Sequence, residues 1–217
     1  GAPGFTPGTG STAGAGGTVV TGTSSPISIT GLTDATTYDV YVRQDCSGGG
    51  NGYSANSVVT SVTTACLPTN IPYTQDFESV IDPAIPNCTS IENAGAGNDW
   101  ATSNPGDYGF MSNTLTYSWD SNNDANAWFY TQGLNMTAGV SYRLTYRYGN
   151  AGNSTFPERL AVSYGSAAAS TAMTNTLSVH SSVINDTPIT DTIDFIPAAT
   201  GVYYIGFNAY SIADQFE

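Results

Sequence analysis

The sequence predicts an all-β fold, and three features of its 217 residues support this prediction. Apolar residues recur at every second position in short segments, which is the pattern of half-buried strands. Gly, Ser, Thr and Asn clusters separate these segments and are typical of turns. Tyrosine is frequent, with 14 copies, and this composition favours strands over prominent helices.

The first third of the chain begins with a predicted loop at residues 1–17, where glycine and proline are too frequent for a regular element. Strand signals follow, and in the third of them Tyr38, Val40 and Val42 share one face, as in a half-buried strand. A glycine-rich hairpin at residues 47–54 precedes the fourth. The predicted strands lie at residues 18–22, 25–32, 36–46 and 57–65.

Residues 31–40 read Gly-Leu-x-x-x-Thr-x-Tyr-x-Val, in which the tyrosine anchors a corner by hydrogen bonding to nearby backbone. With the segment up to residue 64, this pattern resembles the C-terminal half of a fibronectin type III module of flavobacterial secreted proteins. A generic β-hairpin is the simpler alternative. The family's early strands are missing, so residues 1–65 are predicted to be the C-terminal part of an Ig-like sandwich.

A second unit is predicted at residues 66–217, because two prolines interrupt the strand pattern after Cys66. Many short strands at even spacing then indicate an antiparallel sandwich or jelly roll. Trp128 and Phe129 are expected in its core. The strand signals lie at residues 98–103, 126–136, 140–150, 159–166, 174–183, 191–198 and 201–211.

Four segments of this unit carry a resemblance: PYTQDFES, PNC, NAWFYTQGLNMTAGVSYRLTYRY and GVYYIGFNAYS. In this order they resemble the cleaved-adhesin and MAM-like, choice-of-anchor jelly rolls of secreted Bacteroidetes proteins. The resemblance implies a jelly roll that lacks its last strand. It also implies a segment of a large multidomain adhesin, exported to the cell surface or beyond, with type IX secretion as the expected route.

The charge balance limits the partners. The chain has seventeen acidic and four basic residues, which gives a net charge of -13. Such a surface repels nucleic acid and anionic membranes, and no apolar run is long enough to span a bilayer. The expected partners are therefore adjacent modules of the same long chain, and a carbohydrate or a surface protein.

No catalytic residue is predicted. The single His180 lies in an alternating strand without a Gly-x-Ser-x-Gly or His-Glu-x-x-His motif, so a hydrogen-bonded structural role is expected. The carboxylates lie mostly in turns, where they bend the chain.

Calcium is the predicted cofactor. The loop at residues 119–128 places Asp or Asn at every second position, and calcium prefers such oxygen ligands. The loop lacks the glycine and glutamate of an EF-hand, and a hydrated turn is the alternative reading. The resemblance implies further ligands just after the first aromatic segment. The predicted ligands are Asp76, Glu78, Asp120, Asn122 and Asp124.

Aromatic side chains in polar contexts are the predicted ligand contacts, because flat rings stack on sugars. Packing at the rim of the core is the alternative. The candidates are Trp100, Tyr108, Tyr117, Trp119 and Tyr210.

Three cysteines leave one without a partner. A Cys66–Cys88 disulfide would fix the proline-rich entry to the second unit and leave Cys46 unpaired, although three pairings are possible.

These observations favour a non-catalytic adhesive segment that binds a ligand. The main alternative is a pair of accessory modules from a secreted hydrolase, such as a peptidase, whose catalytic domain lies elsewhere. A spacer without a ligand is the third hypothesis.

Overall fold

A computed structural model describes residues 1–103, 109–150 and 156–213. The chain divides into two compact units, Gly1–Leu67 and Pro68–Glu217. The described residues contain strands and two short 3-10 turns, so the predicted all-β class is confirmed. Among these residues, no helix has the length and apolar character needed to cross a membrane.

The first unit contains fewer strands than predicted. Strand β1 (Thr37–Val40) pairs with the antiparallel strand β2 (Thr60–Thr63), and a 3-10 turn lies at Ser47–Gly49. The strands predicted at residues 18–22 and 25–32 are wrong, because neither segment is extended in a sheet. Their apolar side chains are not covered by a partner surface, and alternation alone does not make a strand. These side chains, 42–48% exposed, are Val19, Val20, Ile27 and Ile29.

The most buried residue of β1 is Asp39, on the face opposite Tyr38 and Val40. Asp39 is only 7% exposed, whereas Val42 is 66% exposed. The Asp39 carboxylate accepts hydrogen bonds from Ser61 Oγ at 2.5 Å and from the Gly4 N–H at 2.7 Å, and these bonds lower its pKa. A hydrogen-bonded carboxylate therefore takes the place expected of an apolar side chain. The corner bond expected of Tyr38 is present, since its hydroxyl accepts the Thr33 N–H at 2.9 Å.

The second unit contains eleven strands among its described residues, and each of the seven predicted segments overlaps at least one. A 3-10 turn lies at Ser170–Ala172. The strands are β3 (Thr69–Asn70), β4 (Ser90–Asn93), β5 (Trp100–Ser103), β6 (Thr114–Tyr117), β7 (Ala127–Tyr130), β8 (Leu134–Met136), β9 (Tyr142–Tyr148), β10 (Glu158–Gly165), β11 (Asn175–Val183), β12 (Ile189–Phe195) and β13 (Gly201–Ala209).

Seven of these strands form one large sheet in the order β11-β10-β13-β7-β4, with β8 pairing both β13 and β3. All its pairings are antiparallel except β3–β8. Two further pairs, β9–β12 and β5–β6, are also antiparallel.

The pair β9–β12 covers the large sheet and gives the unit its sandwich core. Tyr142, Leu144 and Tyr146 of β9 and Phe195 of β12 pack on a buried cluster of the large sheet. Residues of β9 alternate between half-buried and exposed, as the sequence predicted. The predicted burial of Trp128 and Phe129 is confirmed, at 8% and 2% exposure. The buried cluster comprises Leu134, Met136, Val162, Tyr164 and Ile205.

Candidate functional site

An open cleft of about 1100 Å³ lies within the second unit. The large sheet, β6, β9 and the segment at residues 73–77 line it. Three of the predicted ligand-contacting aromatics, Trp100, Tyr117 and Trp119, are among its lining residues. The cleft is therefore the candidate functional site.

Strand pairing places two of these aromatics side by side. Trp100 of β5 is paired with Tyr117 of β6, and their rings meet edge to face at 5.7 Å. Trp100 Nε1 donates a hydrogen bond to the Ala127 carbonyl at 2.9 Å, which fixes the indole. Burial raises the pKa of Tyr117, whose hydroxyl accepts the Asn98 N–H at 3.2 Å. Trp119 is 44% exposed, so its ring remains accessible.

The two remaining predicted aromatics do not join this group. Tyr210 does not line the cleft; its hydroxyl lies 3.5 Å from the His180 carbonyl oxygen, to which it donates. Tyr108 lies outside the described residues.

The predicted calcium ligands lie in separate places. Asp76 lines the cleft and accepts the Glu78 N–H at 3.1 Å. Glu78 accepts the Asn113 N–H at 2.8 Å, and Asp124 accepts the Ala213 N–H at 2.7 Å. Within residues 1–103, 109–150 and 156–213, no three His, Cys, Asp or Glu side chains come together as a metal site. Calcium binding thus stays a prediction.

Asp120 organises the loop that follows Trp119. Its Oδ1 accepts the N–H groups of Asn122 at 2.8 Å and Asn123 at 3.0 Å, and the first of these bonds is the main cause of its lowered pKa. Asp120, Asn123 and Glu158 line a small hollow beside Trp119. The alternating loop is therefore a hydrogen-bonded turn, and its Asp120 shares the hollow with Glu158 of β10.

His180 is held in a polar cluster between β9, β11 and β12. Its Nε2 lies 2.7 Å from Tyr146 Oη, 3.3 Å from Ser178 Oγ and 3.4 Å from Asp191 Oδ2. Tyr146 donates its proton to Asp191 at 2.8 Å, so the His180 Nε2–H donates to the phenol oxygen. The ring also packs on Tyr148 at 4.1 Å.

This cluster does not have the arrangement of a catalytic triad. In a triad, the carboxylate and the nucleophile contact opposite nitrogens of the imidazole ring. Here Ser178 and Asp191 both face Nε2. The geometry is that of a structural hydrogen-bond hub, in which burial lowers the pKa of His180 and hydrogen bonding from Tyr146 lowers that of Asp191.

Arginines gather at the cleft, a feature that the sequence reasoning missed. Of the four basic residues in the chain, Arg143, Arg147 and Arg159 line it, whereas Asp76 and Glu158 are its only acidic lining residues among those described. Two of these arginines lie on β9, and Arg143 is ion-paired with the Asp194 carboxylate at 2.8 Å. The alternation of Arg143 and Arg147 on one strand of a lysine-free chain was the available signal.

Cys66 and Cys88 are disulfide-bonded, and Cys46 is a free thiol. Since the chain has three cysteines, the bond joins Cys66 to Cys88.

Two cleaved adhesin domains are among the solved structures that the chain resembles. The K1 cleaved adhesin domain of Lys-gingipain (Kgp) from Porphyromonas gingivalis W83 is 22% identical, with a TM-score of 0.48, over 65% of this chain and 89% of that one. The K3 cleaved adhesin domain of the same protein is 19% identical, with a TM-score of 0.44, over 60% and 86%. At these TM-scores, the structural similarity does not indicate a function. No protein-family model and no curated protein matches the chain.

Proposed function

We propose that the chain is a non-catalytic adhesive segment of a secreted or cell-surface protein, and that its second unit binds a ligand in the cleft. One observation carries the proposal: Trp100, Tyr117 and Trp119 line a single open cleft of about 1100 Å³. Aromatic rings beside a few polar groups are the usual lining of a binding site.

Two features of the cleft support binding rather than spacing alone. The exposed Trp119 ring offers a flat apolar surface, and a carbohydrate ring or an apolar side chain would stack on it. The arginines supply hydrogen-bond donors that orient a polar ligand. The proposed ligand is accordingly a carbohydrate or a surface protein, and adjacent modules of the same protein are further partners.

For the first unit, we propose a role as part of a fibronectin type III-like module beside the adhesive unit. The Tyr38–Thr33 hydrogen bond supports this, since a tyrosine bonded to nearby upstream backbone is typical of such corners.

The experiment compares binding by the full chain and two variants on a glycan array and on immobilised host-surface proteins. Trp119→Ala is expected to lower binding at least about tenfold, the scale of a lost anchor residue. Tyr53→Ala, which removes a 37% exposed aromatic of the first unit, is the matched control and should bind like the native chain. Equal binding by the native chain and Trp119→Ala would contradict a role for the cleft, and binding to nothing would favour a spacer.

We also propose that calcium binds at the loop of Asp120. The support is the pair of carboxylates, Asp120 and Glu158, which line the same small hollow. Calcium should raise the melting temperature of the native chain, because a ligand that binds only the folded state stabilises it. Asp120→Asn should abolish the increase, and Asp82→Asn, a change at an exposed carboxylate outside the hollow, should preserve it. The absence of any calcium-dependent increase in the native chain would rule out the site.

A further inference from the structure

The glycine-rich hairpin of the first unit, at residues 47–54, contains an asparagine followed directly by a glycine, Asn51 and Gly52. No other asparagine of the chain precedes a glycine. Neither residue lines the cleft or the hollow of Asp120. The chemistry of this pair is therefore independent of the ligand and calcium sites proposed above.

An asparagine side chain is an electrophile that the next backbone nitrogen can reach. Attack of that nitrogen on Cγ closes a five-membered ring, and the covalent chain holds the two groups together, which favours the reaction. Three features prevent it in a folded protein. They are a hydrogen bond that holds the side-chain amide, a hydrogen bond that holds the backbone N–H, and a Cβ on the next residue that crowds the ring.

The Asn51 side-chain amide lacks the first kind of protection. The side chain is exposed and makes no hydrogen bond to another residue that the structure describes. A side chain placed on Gly49 would lie 3.6 Å from Asn51 Nδ2, so the absence of one there leaves the amide uncovered. The Asn51 backbone N–H donates to the Cys46 carbonyl at 3.3 Å, which holds the main chain but not the amide.

The Gly52 nitrogen lacks the other two kinds. Within the described ranges its N–H donates to no acceptor, although the Gly52 carbonyl accepts the Cys46 N–H at 2.7 Å. The φ of Gly52 is +69°, a conformation that glycine adopts readily, and open space surrounds the position that a Cβ would occupy. No hydrogen bond or side chain therefore competes with attack on Asn51 Cγ.

Asn56, in the segment that follows the hairpin, shows the protected arrangement. Its Nδ2 donates to the Gly8 carbonyl at 3.0 Å, and its Oδ1 accepts from Arg43 Nη1 at 3.2 Å. The next residue is Ser57, whose N–H donates to the Val42 carbonyl at 2.8 Å. Both the amide and the attacking nitrogen are thus held, and Asn56 is a matched internal control for Asn51.

We propose that Asn51 is a self-modification site, at which the Gly52 nitrogen displaces the side-chain amide and converts the residue to isoaspartate and aspartate. Hydroxide removes the Gly52 proton, the bond from nitrogen to Cγ forms, and the bond from Cγ to Nδ2 breaks. The amide leaves as ammonia after it takes a proton from water. Water then opens the succinimide at either carbonyl, so the net change is one water consumed and one ammonia released, without oxidation or reduction.

The modification changes both the charge and the backbone of the hairpin. Each event adds one negative charge to a chain with a net charge of -13. In the isoaspartate product the main chain runs through Cβ, so one more bond separates the Asn51 Cα from Gly52. The Gly52 carbonyl then loses its register with the Cys46 N–H, and the isolated bridge between Asp45 and Tyr53 should open.

The test incubates the folded, full chain in mildly alkaline buffer made with heavy-oxygen water. Peptic digestion at acid pH and fragment mass spectra then locate the modified residues, and isoaspartyl methyltransferase labels isoaspartate. Asn51 should gain heavy oxygen and isoaspartate, whereas Asn56 should stay unchanged in the same sample. The rate should rise with pH, because hydroxide removes the Gly52 proton.

Two variants separate the proposed chemistry from general ageing. Gly52→Ala should slow the reaction at Asn51 at least about tenfold, because the Cβ crowds the ring and disfavours a positive φ. Gly31→Ala is the matched control, since Gly31 also has a positive φ, +71°, and open space at its Cβ position. It should be modified at the native rate.

Three outcomes would overturn the proposal. They are equal rates at Asn51 and Asn56, equal rates in the native chain and Gly52→Ala, and an unmodified Asn51 in the folded chain when the urea-unfolded chain is modified. Anion exchange separates the modified form through its added charge. Hydrogen exchange of the Cys46 amide should be faster in that form, and unchanged exchange would show that the bridge does not open.

Discussion

Single carboxylates hold distant segments of this acidic chain together, and Glu92 shows how. It lies on β4, at the edge of the large sheet, and accepts hydrogen bonds from the Tyr130 hydroxyl at 2.6 Å and from Ser170. The Ser170 bonds, to the N–H at 2.7 Å and the hydroxyl at 2.6 Å, hold the 3-10 turn against the sheet. The bond from the Ser170 hydroxyl is the main cause of the lowered pKa of Glu92, and burial raises the pKa of Tyr130.

Glu92→Gln should lower the free energy of unfolding by about 1–3 kcal/mol at neutral pH, because it removes charge-assisted hydrogen bonds and leaves a half-buried amide. Urea denaturation measures the change. Asp82→Asn is the control, since the Asp82 side chain is exposed and makes no hydrogen bond to another described residue. An equal change in both variants would contradict the role assigned to Glu92.

His180 gives the stability of the second unit a defined dependence on pH. Burial lowers its pKa below the ordinary value of about 6.5, partly offset by Asp191. Below that value the unfolded chain binds more protons than the folded chain, so the free energy of unfolding should fall as the pH drops through about 6.5. Above it, both states are neutral at this residue and the contribution is constant.

Urea denaturation between about pH 5 and about pH 8 checks this dependence. His180→Gln keeps a donor toward Tyr146 and does not titrate, so its unfolding free energy should vary less over this range. Parallel pH profiles for the native chain and the variant would show that His180 is not the titrating group. Asp191 does not interfere, since its lowered pKa places its titration at more acidic pH.

At the scale of elements, periodicity predicted the long strands of the second unit because they lie on a packed sheet. Strand β9 shows this best, with its exposed and half-buried residues in strict alternation. Strands β4 and β6 carried no signal in the sequence, and pairing with β7 and β5 defines them. At residues 18–22 and 25–32 of the first unit the pattern was present without a covering surface, and no strand formed there.

The cleft could not be predicted from the sequence for a related reason. Its aromatic residues could be picked out, since Trp100, Tyr117 and Trp119 lie in polar, turn-rich contexts. Which strands meet around it is a property of the strand order, and local sequence does not specify that order.

Strand β8 contributes more to stability than its three residues suggest. It pairs with both β3 and β13, and it buries Leu134 and Met136 at 4% and 3% exposure. Leu134→Ala should therefore lower the free energy of unfolding by about 2–5 kcal/mol, through lost apolar burial and a cavity. Val179→Ala on β11, where the side chain is 58% exposed, should change it by less than about 0.5 kcal/mol. Chemical denaturation of both variants tests this, and similar losses would contradict the position of β8 in the core.

At the scale of the whole molecule, charge is distributed unevenly. The chain has seventeen acidic residues and four arginines, and three of those arginines line the cleft. Most of the surface is therefore negative and repels itself, which destabilises the compact state.

Self-repulsion predicts that salt stabilises this protein. Raising sodium chloride from about 20 mM to about 300 mM should raise the melting temperature, because the screening length then falls below the spacing of most surface charges. Potassium chloride should act equally, since screening depends on ionic strength. Calcium chloride at matched ionic strength distinguishes calcium binding from charge screening. If it raises the melting temperature more than sodium chloride does, and Asp120→Asn removes the difference, a bound ion is the cause. If both salts raise the melting temperature equally, screening is the cause. A melting temperature that falls with sodium chloride would contradict this prediction. It would show that attraction between the arginines and carboxylates, as in the pair Arg143–Asp194, is stronger than the repulsion among the carboxylates.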